Sequence, residues 1–131
     1  MFVMCMRDGS RVEIAAEEEA EALRELIRRN GAALELGGEQ VDPPAALLAL
    51  GLARPGLLDA FGQDWQPPTG AEVRELLKVA QLTSSTAGRL VGVPGGKVRK
   101  WAGDDGSMPY AVWRLLLIYA RLAEPARLAL D

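Results

Sequence analysis

Leu82–Trp101, LTSSTAGRLVGVPGGKVRKW, is the stretch on which the fold of this chain turns. It divides into two short segments of helical periodicity. Thr83 can cap the first, whose Ala87, Leu90 and Val91 are spaced to face inward. Gly92 stands at the junction, where a left-handed backbone is nearly strain-free only for glycine. Val93 packs beneath this turn, and Gly88 is small enough for two helices to cross closely. In the second segment Val98 and Trp101, three residues apart, face inward and turn Lys97, Arg99 and Lys100 outward. Ala87, Gly88, Val91, Gly92, Val93, Val98 and Trp101 thus meet the demands of two helices on a tight turn, the second of them cationic.

The flanks extend this pattern. Upstream, Thr69-x-x-Glu72 is a capping box that starts a helix with Val73, Leu76, Leu77 and Ala80 as its buried stripe and Gln81 at its end. Downstream, Ala102–Ser107 is a turn-rich loop. Pro109 suits the first turn of a long helix, PYAVWRLLLIYARLAE, with Val112, Trp113, Leu116, Leu117 and Ala120 at helical spacing. Pro125 stops that helix and leaves a short tail. Trp113 lies in a leucine-rich stripe, which favours core packing over a base-stacking platform. Residues 65–131 therefore read as an all-α unit of about four helices. Residues 63–69, with Pro67 and Pro68, form an extended connector before it.

Residues 1–64 read differently. Phe2, Met4 and Met6 alternate with Val3 and Cys5, and Val12 and Ile14 alternate again. Asp8-Gly9 between them has the composition of a two-residue hairpin turn. AAEEEAEALRELIRRNG (15–31) is an amphipathic helix with acids early, Arg28 and Arg29 late, and Asn30-Gly31 as its stop. Its glutamates are a solvated face at a favourable terminus, not a metal or acid–base site. Ala33–Leu36, Gly37-Gly38 and Glu39–Val41 predict a second hairpin. After Pro43-Pro44, Gly51 and Pro55 cut the apolar stretch 45–62 into two helical pieces, which complete the core of so small a unit. The fold class is α+β: a small ββαββ unit, then the helical one.

Composition narrows the function classes. Of 131 residues 49% are hydrophobic, with no run long enough for a membrane span, and the N-terminus is too short and too soon acidic for a signal peptide. A single cysteine, Cys5, excludes an internal disulfide and suits a cytoplasmic location. With no histidine, no second cysteine and no phosphate loop (Lys97 is followed by Val98), the chain offers no catalytic residue, cofactor site or metal site, so an enzyme is not expected. Residues 1–64 carry six arginines against twelve acids, a balance of −6. Residues 65–131 carry nine Lys/Arg against six acids, a balance of +3. Between Glu75 and Asp104 lie five cations and no acid. Such opposite halves fit two units, one of them facing a polyanion.

The motif at 82–101 is thus the layout of a helix-turn-helix, which presents one helix to the DNA major groove. Residues 66–124 resemble the lambda-repressor-like helix-turn-helix domain of phage and mobile-element regulators. The likeness rests on P-P-T-x-x-E-V-R (67–74), R-L-V-G-V (89–93), V-R-K-W (98–101) and M-P-Y-x-x-W-R-L-L-L (108–117). The opening Trp65 to Arg74 is also similar to the C-terminal domain of a dual-role anti-CRISPR protein of type I-F systems, which represses its own operon.

The resemblance implies double-stranded DNA as partner and a transcriptional repressor of a phage or mobile element, and because one domain this small binds weakly, a homodimer on a two-fold operator is expected. Arg99 is the first candidate for a bidentate contact to guanine and Lys97 the second. Thr83, Ser84 and Ser85 at a helix start can meet phosphate, and Lys100 and Arg89 add charge contacts. One departure stands out. The family reads bases from the first turn of the second helix, which here is Pro94-Gly95-Gly96. Either the glycines bring the backbone close to phosphate while Arg99 and Lys97 read bases, or the motif survives as a scaffold. The surviving cations favour binding. The alternative function is an anti-defence inhibitor whose acidic half (1–64) binds a bacterial defence complex while the other half autoregulates.

Overall fold

The computed structural model describes residues 2–125. The tail from residue 126, left open by the sequence, lies outside them. Strands β1 (Phe2–Cys5), β2 (Arg11–Ile14), β3 (Ala33–Leu36) and β4 (Glu39–Val41) form one antiparallel sheet in the order β2-β1-β3-β4. Helix α1 (Glu19–Arg28) joins the hairpins, and α2 (Pro43–Ala49) follows. The helical half contains α3 (Gly70–Ala80), α4 (Ser84–Val91), α5 (Gly95–Ala102) and α6 (Tyr110–Tyr119). The expected α+β class and ββαββ order are both present.

Alternation places the sheet's core. Met4 pairs with Val12 on one side and Leu34 on the other, so the buried side chains of Met4, Leu34 and Ile14 share the face covered by α1. From α1, Ala22, Leu23 and Leu26 meet them, and Ala46 of α2 completes this cluster. Gly31 needs its hydrogen: a Cβ there would stand 2.5 Å from Met4 Sδ.

The two hairpin turns differ. Gly37 and Gly38 both have positive φ (56° and 85°), the pattern of a two-residue type I′ turn. The first turn departs from its two-residue expectation. Met6 donates to Ser10 O and Gly9 donates to Met6 O, so Arg7-Asp8-Gly9 is a three-residue loop with Gly9 left-handed at its end. Asp8 accepts from both the backbone and the hydroxyl of Ser10, which stabilises that wider form.

Three helix boundaries also depart from expectation. Helix α1 starts at Glu19, leaving Ala16 outside it, and its N-cap Glu18 makes no side-chain bond. The second helical piece after Gly51 does not form. Gly56 is left-handed and packed against Asp64, which turns the chain too sharply for a helix. Helix α6 ends at Tyr119, with Pro109 as its N-cap, because Arg121 enters the left-handed region (φ 63°) well before Pro125.

The larger core lies among α3–α6. It gathers Val73, Leu76, Val79, Ala87, Val98, Trp101, Met108, Trp113, Leu116 and Leu117, and it takes in Leu52 and Leu57 from the apolar stretch after α2. The apolar stretch therefore serves both cores, Ala46 the sheet's and Leu52 and Leu57 the helical one. Trp113 Nε1 donates to Leu57 O at 2.8 Å, and Arg114 donates to Leu58 O. Polar contacts tie α1 to α3. Arg24 meets Glu75 through two bonds, of 2.6 and 3.0 Å, and Arg28 donates to the carbonyls of Val79 and Lys78. The Glu75 hydrogen bonds hold the Arg24 guanidinium more firmly protonated than usual.

The Thr69–Glu72 capping box is present, and Arg54 adds two bonds of 3.0 Å to the Glu72 carboxylate. Burial alone would push that carboxyl up. Hydrogen bonds from Arg54 and the Thr69 backbone, with the Arg54 charge, outweigh it and hold the group below its ordinary value. A depressed carboxyl stabilises the fold above its unfolded value and loses that contribution as pH falls through its folded one. The melting temperature should therefore fall on acidification below about pH 4.3. The margin of the wild type over Glu72→Gln should shrink over the same range, and thermal melts of the two across that window check it.

Candidate nucleic-acid interface

Each helix of the 82–101 motif is set by a local device. At α4 the Thr83 hydroxyl accepts from Thr86 N–H while the Thr86 hydroxyl accepts from Thr83 N–H, a second capping box. Gly92 ends α4 at φ 79°. Gly88 is where the helices cross: a Cβ there would stand 2.5 Å from Val93 O and 3.1 Å from Gly95 N. Ala87 and Gly88 are buried and Val91 half-buried, whereas Leu90, expected inside, is 39% exposed. The crossing runs along the 87-88-91 side of α4, and Leu90 falls outside that stripe.

The expected interface residues fall into three groups. Thr83 is the exposed N-cap of α4, its hydroxyl engaged in the cap, with Ser84 half-buried and Ser85 exposed beside it. Gly95 has a packing reason of its own. A Cβ there would lie 3.0 Å from Ser85 Cα, so α5 seats its first residue against the first turn of α4. Lys97, Arg99 and Lys100 are exposed on α5 and Arg89 is exposed on α4, while Val98 and Trp101 are buried.

Gly96 has a different role from Gly95. Nη2 of Arg99 lies 3.5 Å from the position its Cβ would take. The arginine thus folds back along α5 toward its N-terminus, as helical side chains lean, and a guanidinium covers the turn that the glycines leave bare. The N-cap of α5, Pro94, makes no side-chain cap bond, and of the first-turn N–H groups that of Lys97 donates to Pro94 O at 3.0 Å, which leaves those of Gly95 and Gly96 uncapped.

Ion pairing distinguishes the cations of the two halves. Among the described residues every ion pair uses Arg11, Arg24, Arg28, Arg29 or Arg54. None of the six cations Arg74, Lys78, Arg89, Lys97, Arg99 and Lys100 has a described carboxylate within 4.0 Å. Of these, Arg74 and Lys78 were missed as surface candidates by the sequence. Both line a groove with Ser84 and Arg99. Their spacing of four on α3 was the available signal, and it reads equally well as a solvated face.

Four helices with a left-handed glycine turn, and a second motif helix exposing cations that no described carboxylate pairs, define a helix-turn-helix protein. No family profile matches the chain, and no solved structure matches it. In its C-terminal part it is 46% identical over 61 residues to the transcriptional repressor protein KorC of Escherichia coli, covering 44% of this chain and 72% of that protein. A second Escherichia coli KorC is 48% identical over 56 residues, covering 40% of this chain and 65% of that protein. The chain belongs to the KorC family of transcriptional repressors. Both relatives are named as repressors, and neither supports the likeness to an anti-CRISPR protein. No helix of the described residues is long and apolar enough to cross a membrane.

Proposed function

We propose that this chain is a sequence-specific DNA-binding repressor that places α5 in the major groove of an operator and acts as a homodimer on a two-fold site. The observation that carries this is the exposed face of α5, where Lys97, Arg99 and Lys100 have no carboxylate partner among the described residues. Burying such charges against another part of the protein would cost free energy that nothing on that face offsets, whereas a polyanion supplies the missing partner.

Arg99 is assigned the base-reading role, because its fork lies over Gly96 at the leading end of the helix and guanine offers O6 and N7 to such a fork. Lys97 is the second base-reading candidate. Lys100 and Arg89 contact phosphates, with Thr83, Ser84 and Ser85 supplying hydroxyl and backbone N–H groups at the start of α4. Gly96 lets the start of the α5 backbone approach the duplex closely, whereas Gly95 serves the packing against Ser85. The KorC relatives' name as repressors supports the same role, and autoregulation is the simplest form of it.

The test is a gel shift of the full chain on the duplex upstream of its own gene, beside a scrambled duplex of equal length. Tight, salt-sensitive binding to the first is expected. Arg99→Ala should weaken it by about 1–3 kcal/mol, or about 5- to 150-fold, and narrow the preference over the scrambled duplex. Equal, weak binding of the wild type to both duplexes would reject operator recognition.

A further inference from the structure

The groove between α3 and α5 is lined by Arg74, Leu77, Lys78, Leu82, Ser84 and Arg99, and its volume is about 560 Å³. We propose that it seats one phosphodiester of the DNA backbone, with Arg74 and Lys78 as sequence-independent anchors beside the base-reading helix. This rests on the DNA-binding role proposed above and adds a helix, α3, that the motif itself does not include.

Three observations carry it. First, the charge is uncompensated. Arg74 and Lys78 lie four apart on one face of α3, Arg99 approaches from α5, and none of them has a described carboxylate within 4.0 Å. The nearby acids are engaged elsewhere: Glu75 is held by Arg24, and Asp104 accepts from Gly70 N–H.

Second, the groove is built rather than incidental. Arg74 donates through Nη1 to Ala102 O, which bridges α3 to the end of α5. Arg28 holds the carbonyls of Lys78 and Val79, fixing the turn from which Lys78 projects.

Third, the lining matches the chemistry of a sugar–phosphate strand. The exposed cations offer charge to the phosphate oxygens, and the half-buried Leu82 offers apolar surface to the deoxyribose carbons. Ser84, in the first turn of α4, makes the groove continuous with the helix start already assigned to phosphate.

A backbone anchor has a signature that a base contact lacks: it changes salt dependence on every sequence alike. The experiment measures affinity of the full chain for the upstream duplex and for a random-sequence duplex between about 50 and 200 mM salt. Lys78→Ala is the principal variant, because the side chain of Lys78 makes no described bond. Its slope of log affinity against log salt should be shallower by about 0.9 on both duplexes. The salt rise should then cost about three-fold less affinity than in the wild type. Arg74→Ala should act in the same direction, with circular dichroism checking that the loss of its bond to Ala102 leaves the helices formed.

An unchanged slope in Lys78→Ala would overturn the anchor while leaving operator recognition standing. A loss confined to the upstream duplex would also overturn it, since that marks a base contact. Failure of the wild type to bind either duplex would remove both proposals together.

Discussion

Trp113→Ala is expected to cost about 3–5 kcal/mol of folding stability, a large share of the roughly 5–15 kcal/mol that holds a domain together. Trp113 is 0% exposed and sits among Leu116, Leu117 and Leu57. Truncation removes more apolar volume than the surrounding helices can close over. It also leaves Leu57 O without the indole N–H that bonds it at 2.8 Å, and an orphaned buried carbonyl costs about 1–3 kcal/mol. The melting temperature should fall by more than about 10 °C. Trp113→Phe helps to separate the two effects, since it loses the bond but keeps most of the volume. A melt of Trp113→Ala within a few degrees of wild type would show that residues 52–58 do not seat on α6 as described.

Gly88→Val is the second large effect, and its consequence is geometric as well as energetic. The first added carbon alone would stand 2.5 Å from Val93 O and 3.1 Å from Gly95 N, both backbone atoms. Neither can swing aside as a flexible side chain would, so α4 and α5 must separate. Overpacking of this kind costs about 1–3 kcal/mol and occasionally more, and three added carbons place valine at the upper end. Gly92→Ala is the informative contrast. Its Cβ would meet nothing within 4 Å, and the strain comes only from φ 79°, about 1–2 kcal/mol. Gly88→Val should therefore abolish operator binding under conditions where Gly92→Ala, though destabilised, still binds. Equal DNA affinity of Gly88→Val and wild type would mean that the crossing angle of α4 and α5 does not matter to the duplex.

What could be read from the chain beforehand follows from the range of each interaction. Caps and turns are local, so Thr69 with Glu72, Thr83, Gly37-Gly38 and Gly92 all announced themselves. Periodicity placed Val98 and Trp101 inside and Lys97, Arg99 and Lys100 outside. It misplaced Leu90, because helical spacing alone does not say which side of α4 the neighbour covers. The Asp8-Gly9 pair signalled a turn, but its width was decided by Ser10 bonding to Asp8.

Long-range choices left no local trace. Nothing around Leu52 or Leu57 says that they belong with α3–α6, and Arg24 meets Glu75 across 51 positions. The glycines at 95 and 96 read as a weakness of the second helix. Their separate reasons, room for Ser85 and room beneath Arg99, depend on how the helices and side chains lie in space. Arg74 and Lys78 were visible as charges, but their nearness to Arg99 is a product of the crossing.

The dependence of α6 on Leu57 and Leu58 has a practical meaning for anyone wishing to move the helix-turn-helix half into another protein. A cassette cut at the proline-rich connector would arrive without two of its own core leucines and without the carbonyls that receive Trp113 and Arg114. A graft that begins at Leu52 carries these with it, so the transplantable unit is longer than the recognisable motif.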